Sequence, residues 1–282
     1  MKRRILSIFC ALALCLSLLP ATALANGPDS SITDIPEGLE VEGTVVTGYE
    51  GTATEIVIPE GVTEIGYEAF LDSMVQEVKL PSTLTTIGEK AFERSTLTSI
   101  TIPASVTTIG KYAFSNTKDL VSATIRGDPA LGDGAFWKSG IQSIEMDQVT
   151  AISYLCFASS ALSSISMASV TSIGESAFTN TKLTEFTVPD TVESIDRYFL
   201  DDIEDLATLT VSLATLQKTG IHENAFANIS SGCNVVLTGV NADITLLDDG
   251  FSVGDETYTF LRFSINTVQE PSNCTITNQT GE

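Results

Sequence analysis

From Thr44 to Leu237 the apolar positions recur in one order: an alternating triplet, a lone valine or leucine, then Ile-Gly-x-x-Ala-Phe. The closing phrase is Ile65-Gly66-Tyr67-Glu68-Ala69-Phe70, and it returns as Ile87-Gly88-Glu89-Lys90-Ala91-Phe92 and Ile109-Gly110-Lys111-Tyr112-Ala113-Phe114. Leu131 to Phe136 and Ile173 to Phe178 keep it, Ile152 to Phe157 substitutes within it, and Ile195 to Leu200 and Ile221 to Phe226 are degraded copies. The lead residues are mostly 21 or 22 positions apart, a period that predicts a solenoid.

Each phrase follows a short alternating stretch that in several copies ends at proline, as in Ile56-Val57-Ile58-Pro59, Val78-Lys79-Leu80-Pro81, Ile100-Thr101-Ile102-Pro103 and Phe186-Thr187-Val188-Pro189. Alternation rich in β-branched residues predicts a strand with one buried face. Proline stops it because it cannot donate to the ladder. The glycine after the lead isoleucine is expected in a tight bend, and the Ala-Phe pair sets a small residue beside a large one so that successive coils stack their phenylalanines. One coil buries too few side chains to offset the entropy of ordering its backbone. Neighbours must close both sides of it, and the two ends need caps.

The expected architecture is a β-rich solenoid of about eight coils of 21–22 residues, stacking short parallel strands over residues 51–238. Residues 26–50 are expected as an N-terminal cap, with Leu39 to Tyr49 alternating like a hairpin. Residues 239–282 lose the repeat but keep strand-like runs, Ile244 to Leu247 and Tyr258 to Phe263, and read either as a C-terminal cap or as the start of a further domain.

The run Leu97-Thr98-Ser99-Ile100-Thr101-Ile102-Pro103-Ala104-Ser105-Val106-Thr107-Thr108-Ile109-Gly110-Lys111-Tyr112-Ala113-Phe114 resembles the BspA-type leucine-rich repeats of bacterial surface and secreted proteins. Gly48-Tyr49-Glu50-Gly51 resembles that family's lead-in to its first repeat. The resemblance implies a leucine-rich-repeat solenoid without the asparagine column of ordinary leucine-rich repeats. It brings no catalytic motif, and because several members are described as adhesins it implies binding.

The N-terminus sets the compartment. Lys2, Arg3 and Arg4 precede the uncharged run Ile5 to Leu19, then Pro20 and Ala23-Leu24-Ala25, the layout of a secretory signal peptide over residues 1–25. The apolar run falls short of the ~20 residues a membrane span needs, so the mature chain is expected to be secreted, or held at the cell surface, without membrane insertion. The formal net charge is −22. Removing residues 1–25 takes away three of the 14 Lys+Arg and none of the 36 Asp+Glu, leaving −25. Such a surface repels phosphate backbones and anionic lipid, which makes nucleic acid and anionic membranes poor partners. The expected partner, from the family resemblance and the compartment, is an extracellular protein or glycan.

Candidate chemistry is sparse. His222, the single histidine, sits in the glycine slot of a degraded phrase, and a lone histidine without C-x-x-C pairs does not make a zinc site. Cys156 fills the alanine slot of an Ala-Phe pair. Cys233 and Cys274, outside the regular slots, are the expected disulfide. Two acidic groups, Asp201, Asp202, Glu204 and Asp205, then Asp248, Asp249, Asp255 and Glu256, have ligand types suited to calcium but not the spacing of a calcium loop. No cofactor is expected.

The strand face turned away from the core carries Val57, Lys79, Thr101, Thr124, Glu145, Ser166, Thr187 and Thr210 at its centre. Stacked at about 4.8 Å they would form a row of roughly 34 Å, and solenoids commonly bind along such a concave sheet. Thr101, Thr124, Glu145, Ser166 and Thr187 are therefore the candidate ligand-binding residues. The expected function is a binding or adhesion module. The alternatives are a structural spacer in a surface assembly and a carbohydrate-active enzyme using paired carboxylates.

Overall fold

The computed structural model describes residues 32–222 without interruption, then 224–226, 229 and 233–239, and beyond them the backbone of Ile244–Leu247, Gly250–Val253, Glu256–Tyr258 and Ile276–Gln279. Residues 1–25, expected to be a signal peptide, Cys274 and the acidic residues Asp248, Asp249 and Asp255 lie outside the described residues.

The chain is a β-solenoid of about nine stacked turns. Each coil contributes two strands rather than the one expected. The first is the alternating stretch: Glu55–Val57, Glu77–Lys79, Ser99–Ile102, Ser122–Ile125, Ser143–Glu145, Ser164–Ser166, Glu185–Thr187, Thr208–Ser212 and Asn234–Thr238. The second is a two-residue strand ending at the lead isoleucine or leucine, from Glu64–Ile65 through Thr108–Ile109 to Gly220–Ile221. Counting from Glu55, these pairs define coils 1 to 8, with Asn234–Thr238 opening a ninth. The wide gap before coil 8's phrase holds the one described helical turn, Leu213–Leu216, capped by Ser212 Oγ accepting from the Thr215 N–H.

After each short strand the chain turns back through six to eight residues, here called the turn face. Its N–H groups alternate in destination. Glu68, Phe70 and Asp72 donate to Glu89, Ala91 and Glu93 of the next coil, whereas Ala69, Leu71 and Ser73 donate three residues back within their own. This alternation satisfies the turn's backbone donors and requires left-handed residues, at Glu68 and Asp72 in coil 1, Lys90 and Arg94 in coil 2, Tyr112 and Asn116 in coil 3. Such conformations are uncommon outside glycine, and here the coil-to-coil bonds hold them.

The glycine of the phrase, expected in a tight bend, is not one of these left-handed residues. Gly88, Gly110 and Gly132 are needed for proximity: a Cβ on Gly110 would lie 2.5 Å from Glu89 N and Gly88 C, and one on Gly132 2.4 Å from Lys111 N. Glycine is the residue that lets two backbones approach so closely.

Inside, Phe70, Phe92, Phe114, Phe136, Phe157 and Phe178 form a continuous column, with ring centroids 4.9–5.5 Å apart and planes within 12°. All six are fully buried. Tyr49 closes the column at its N-terminal end, its ring 5.4 Å from that of Phe70. Gly51 makes this possible, since a Cβ there would meet the Tyr49 hydroxyl at 2.4 Å. In coil 7 the order of small and large residues is lost: Phe199 takes the alanine slot, Leu200 the phenylalanine slot, and the aromatic contacts turn edge-on through Phe186.

In place of an asparagine column, threonine hydroxyls tie coil to coil. Thr85 Oγ1 donates to Thr63 O (3.0 Å), Thr107 Oγ1 to Thr85 O (3.2 Å) and Thr171 Oγ1 to Thr150 O (3.0 Å). At the N-terminal end Leu39–Glu42 and Val45–Tyr49 form an antiparallel hairpin whose second strand pairs with Glu64–Ile65, continuing the short-strand sheet. At the other end Ile276–Gln279 pairs in parallel with Asn234–Thr238, and residues 244–258 include a three-stranded antiparallel meander.

Candidate ligand-binding face

The long strands place the predicted row on their outer surface. Ile56, Val78, Ile100, Ala123, Ile144 and Phe186 are buried, so the residues next to them in the strand face out by the period-two alternation of a strand. Val57, Lys79, Thr101, Glu145, Ser166 and Thr187 are exposed, and Thr124 and Thr210 half-buried. Register confirms the neighbours: Thr101 stands opposite Thr124, Thr124 opposite Glu145, and Glu145 opposite Ser166. Ser166 Oγ donates to an Asp147 carboxylate oxygen, which adds a second acidic group beside Glu145.

The row is not one continuous ladder, however. Hydrogen bonding divides the long strands into three sheets, coils 1–2, coils 3–6 and coils 7 onward. Thr187 therefore belongs to a different ladder from the other four, opposite Thr210. At both divisions the chains stay joined just before the strands, by Thr98 N–H to Gln76 O (3.0 Å) and Lys182 N–H to Leu162 O (2.9 Å), and part further along. The first parting opens a cleft of about 390 Å³ lined by Glu77, Lys79, Leu80, Ser99, Thr101 and Arg126. It brings two cations and two hydroxyls to the end of the row, a feature that strand alternation could not have indicated.

The remaining candidates are committed to structure. His222 Nδ1 accepts the Asn224 N–H at 3.0 Å. Cys156 is fully buried and burial pushes its thiol up to about 12, far from the thiolate a nucleophile needs. Asp201, Asp202, Glu204 and Asp205 occupy the end of coil 7's turn, and among the described residues no three or more His, Cys, Asp or Glu side chains gather as a metal would require.

Cys233 is buried immediately before Asn234–Thr238. That strand pairs Val235 with Ile276, an offset of 41 residues, and the same offset separates Cys233 from Cys274. Thiol counting on the native protein is expected to detect no reactive group, and denaturation without reductant to release only Cys156. Three reactive thiols under those conditions would remove the Cys233–Cys274 bridge.

The family described as BspA type leucine rich repeat region, in six copies, matches residues 49–163 and 150–280. No curated protein matches. Among solved structures, a leucine-rich repeat protein from Bacteroides ovatus is 23% identical, over 73% of this chain and 69% of that one, with a TM-score of 0.36. A leucine rich cell surface protein from Faecalibacterium prausnitzii is 17% identical over 74% and 71%, with a TM-score of 0.38. The pneumococcal vaccine antigen PcpA is 14% identical over 70% and 78%, with a TM-score of 0.25. With its repeats matched across most of its length, the chain belongs to the BspA-type leucine-rich-repeat family.

Proposed function

We propose that the protein is an exported recognition module that binds an extracellular protein or glycan along the outer face of its long strands. The observation that carries this reading is the in-register row Thr101, Thr124, Glu145 and Ser166. It is a rigid, solvent-facing polar surface held by four bonded strands, and Thr187 extends it into the next ladder. Rigid presentation lowers the ordering cost of binding. The reading assigns no catalysis, and it is supported there by the commitment of His222 to a backbone N–H and of Cys156 to the core.

Replacing Thr124 and Ser166 together by lysine is expected to weaken binding to a partner captured from extracellular material by at least about tenfold, the scale of a lost hot spot. Folding should survive, because both side chains point away from the core. Glu89→Lys on the turn face is the comparison, since Glu89 is exposed there. Glu175 is unsuitable because it is paired with Arg197 at 3.0 Å. Unchanged affinity in the double variant with loss at Glu89 would move the site to the turn face. A chain that captures nothing would be a spacer.

Export has its own test. Intact mass of secreted protein is expected to show Asn26 as the first residue, and a retained segment 1–25 would refute cleavage.

A further inference from the structure

A second surface, on the turn face of coils 3 to 5, departs from the repeat in a way that the fold does not need. The chain's one tryptophan, Trp137, lies there half-buried, with the Tyr112 ring edge-on at 5.9 Å and 62°. Tyr154 of the next coil is 44% exposed. Three aromatic residues thus come from three successive coils whose backbones are joined here by Tyr112 N–H to Asp133 O (3.1 Å) and Gly134 N–H to Tyr154 O (2.8 Å), with the Tyr112 and Trp137 rings in contact and Tyr154 on the adjoining coil.

Gly134 shows that the arrangement is built. Its left-handed position is filled in other coils by Glu68, Lys90, Tyr112, Leu155, Ser176 and Tyr198, so the backbone does not require glycine. A Cβ on Gly134 would lie 2.5 Å from Tyr112 Cε1. Glycine here is what lets the tyrosine ring cross the coil toward Trp137.

Two cations gather at the same place. Lys79, Lys90, Arg94, Lys111, Arg197 and Lys218 are held in ion pairs with carboxylates. Lys118 instead donates to the Lys138 carbonyl, and Lys138 holds its ammonium over the Trp137 ring, 4.1 Å from the centroid. Among the described residues Lys118, Arg126, Lys138 and Lys182 form no ion pair with a carboxylate, and two of these four, Lys118 and Lys138, meet at the Tyr112–Trp137 pair, in a chain of net charge −22.

We propose that Tyr112, Trp137, Tyr154, Lys118 and Lys138 form a binding site for a carboxylated sugar, distinct from the long-strand face. The C–H face of a pyranose matches the electron-rich ring faces, and tyrosine and tryptophan suit a surface that is apolar on one side and wet on the other. The sugar carboxylate takes the two ammonium groups. Lys138 leaves the tryptophan ring to do so, giving up a cation–π contact that is weak at an exposed site.

Trp137 is the reporter. The purified protein is titrated with trigalacturonate and with sialyllactose while its tryptophan emission is followed. A saturable change with at least one of them is expected, weakening as salt is added. Lys138→Ala and Tyr154→Ala, both of which keep the reporter, should each weaken it at least about tenfold. Lys182→Ala, on an exposed lysine away from the cluster, should leave it unchanged. No saturable change with either acidic sugar would overturn the proposal. An equal response to uncharged lactose would overturn it too, by showing that the carboxylate is not read. An equal response to a triaspartate peptide would do the same, by showing that charge is read without the sugar.

Discussion

Phe114→Ala is expected to be among the most destabilising single substitutions in the chain, lowering the unfolding free energy by about 3–5 kcal/mol. Phe114 is fully buried in the middle of the column, 5.3 Å from Phe92 at 2° and 5.1 Å from Phe136 at 10°. Truncation removes the transfer free energy of the ring, leaves a cavity walled by two rigid neighbours, and breaks two stacking contacts at once. Because each coil of a solenoid is stabilised by its neighbours, the loss should also uncouple coils 1–2 from coils 4–8. Chemical denaturation is then expected to show a broadened or two-step transition. Tyr49→Ala removes the half-exposed end of the same column, where Phe70 is its one ring partner among the described residues, and should cost less while leaving the transition single. Equal losses at the two positions would mean that the column does not couple the coils.

Gly110→Ala is expected to cost about 1–3 kcal/mol, the range for overpacking. The added carbon would lie 2.5 Å from Glu89 N and Gly88 C, and backbone cannot rotate away as a side chain can. Later coils do carry side chains in this slot, and each is polar and bonded: Ser153 Oγ donates to Gly132 O at 2.8 Å, Asp196 Oδ1 accepts the Arg197 N–H at 2.8 Å, and His222 Nδ1 accepts the Asn224 N–H at 3.0 Å. Those hydrogen bonds offset the crowding, and alanine has none to make. Gly43→Ala provides the contrast. Gly43 has φ +62° with nothing within 4 Å of its Cβ, so only left-handed strain is added there, roughly 1–2 kcal/mol. At about 2–4 °C per kcal/mol for a domain of this size, thermal unfolding separates steric from conformational cost. A smaller shift at Gly110 than at Gly43 would mean that the coils have room to part.

The coil count, the buried face of each long strand and the phenylalanine column were legible because they are periodic. A residue repeated every 21 or 22 positions beside alternating apolar neighbours can satisfy its burial only by stacking on its own copies. Cys156 could be read as core for the same reason, since it occupies a slot whose other occupants are mostly alanine. Phe199 and Leu200 exchange roles because coil 7 breaks the Ala-Phe order, and side-chain order alone did not show how the column would adjust.

What the sequence by itself determined, then, is everything that one coil repeats: its period, its inward side chains and the row of outward ones. The tertiary structure decided what depends on the distance between coils. It set the phrase glycines against neighbouring backbone, gave the left-handed conformations to other residues of the turn, and gave each coil a second strand of two residues. It also split the long-strand row into three ladders and set Tyr112 of one coil against Trp137 of the next. The physical reason is that burial is a property of each residue's own position and leaves a pattern in the chain. Hydrogen-bond register and ring contacts between residues some 20 apart depend on close fits between coils, which no local pattern encodes.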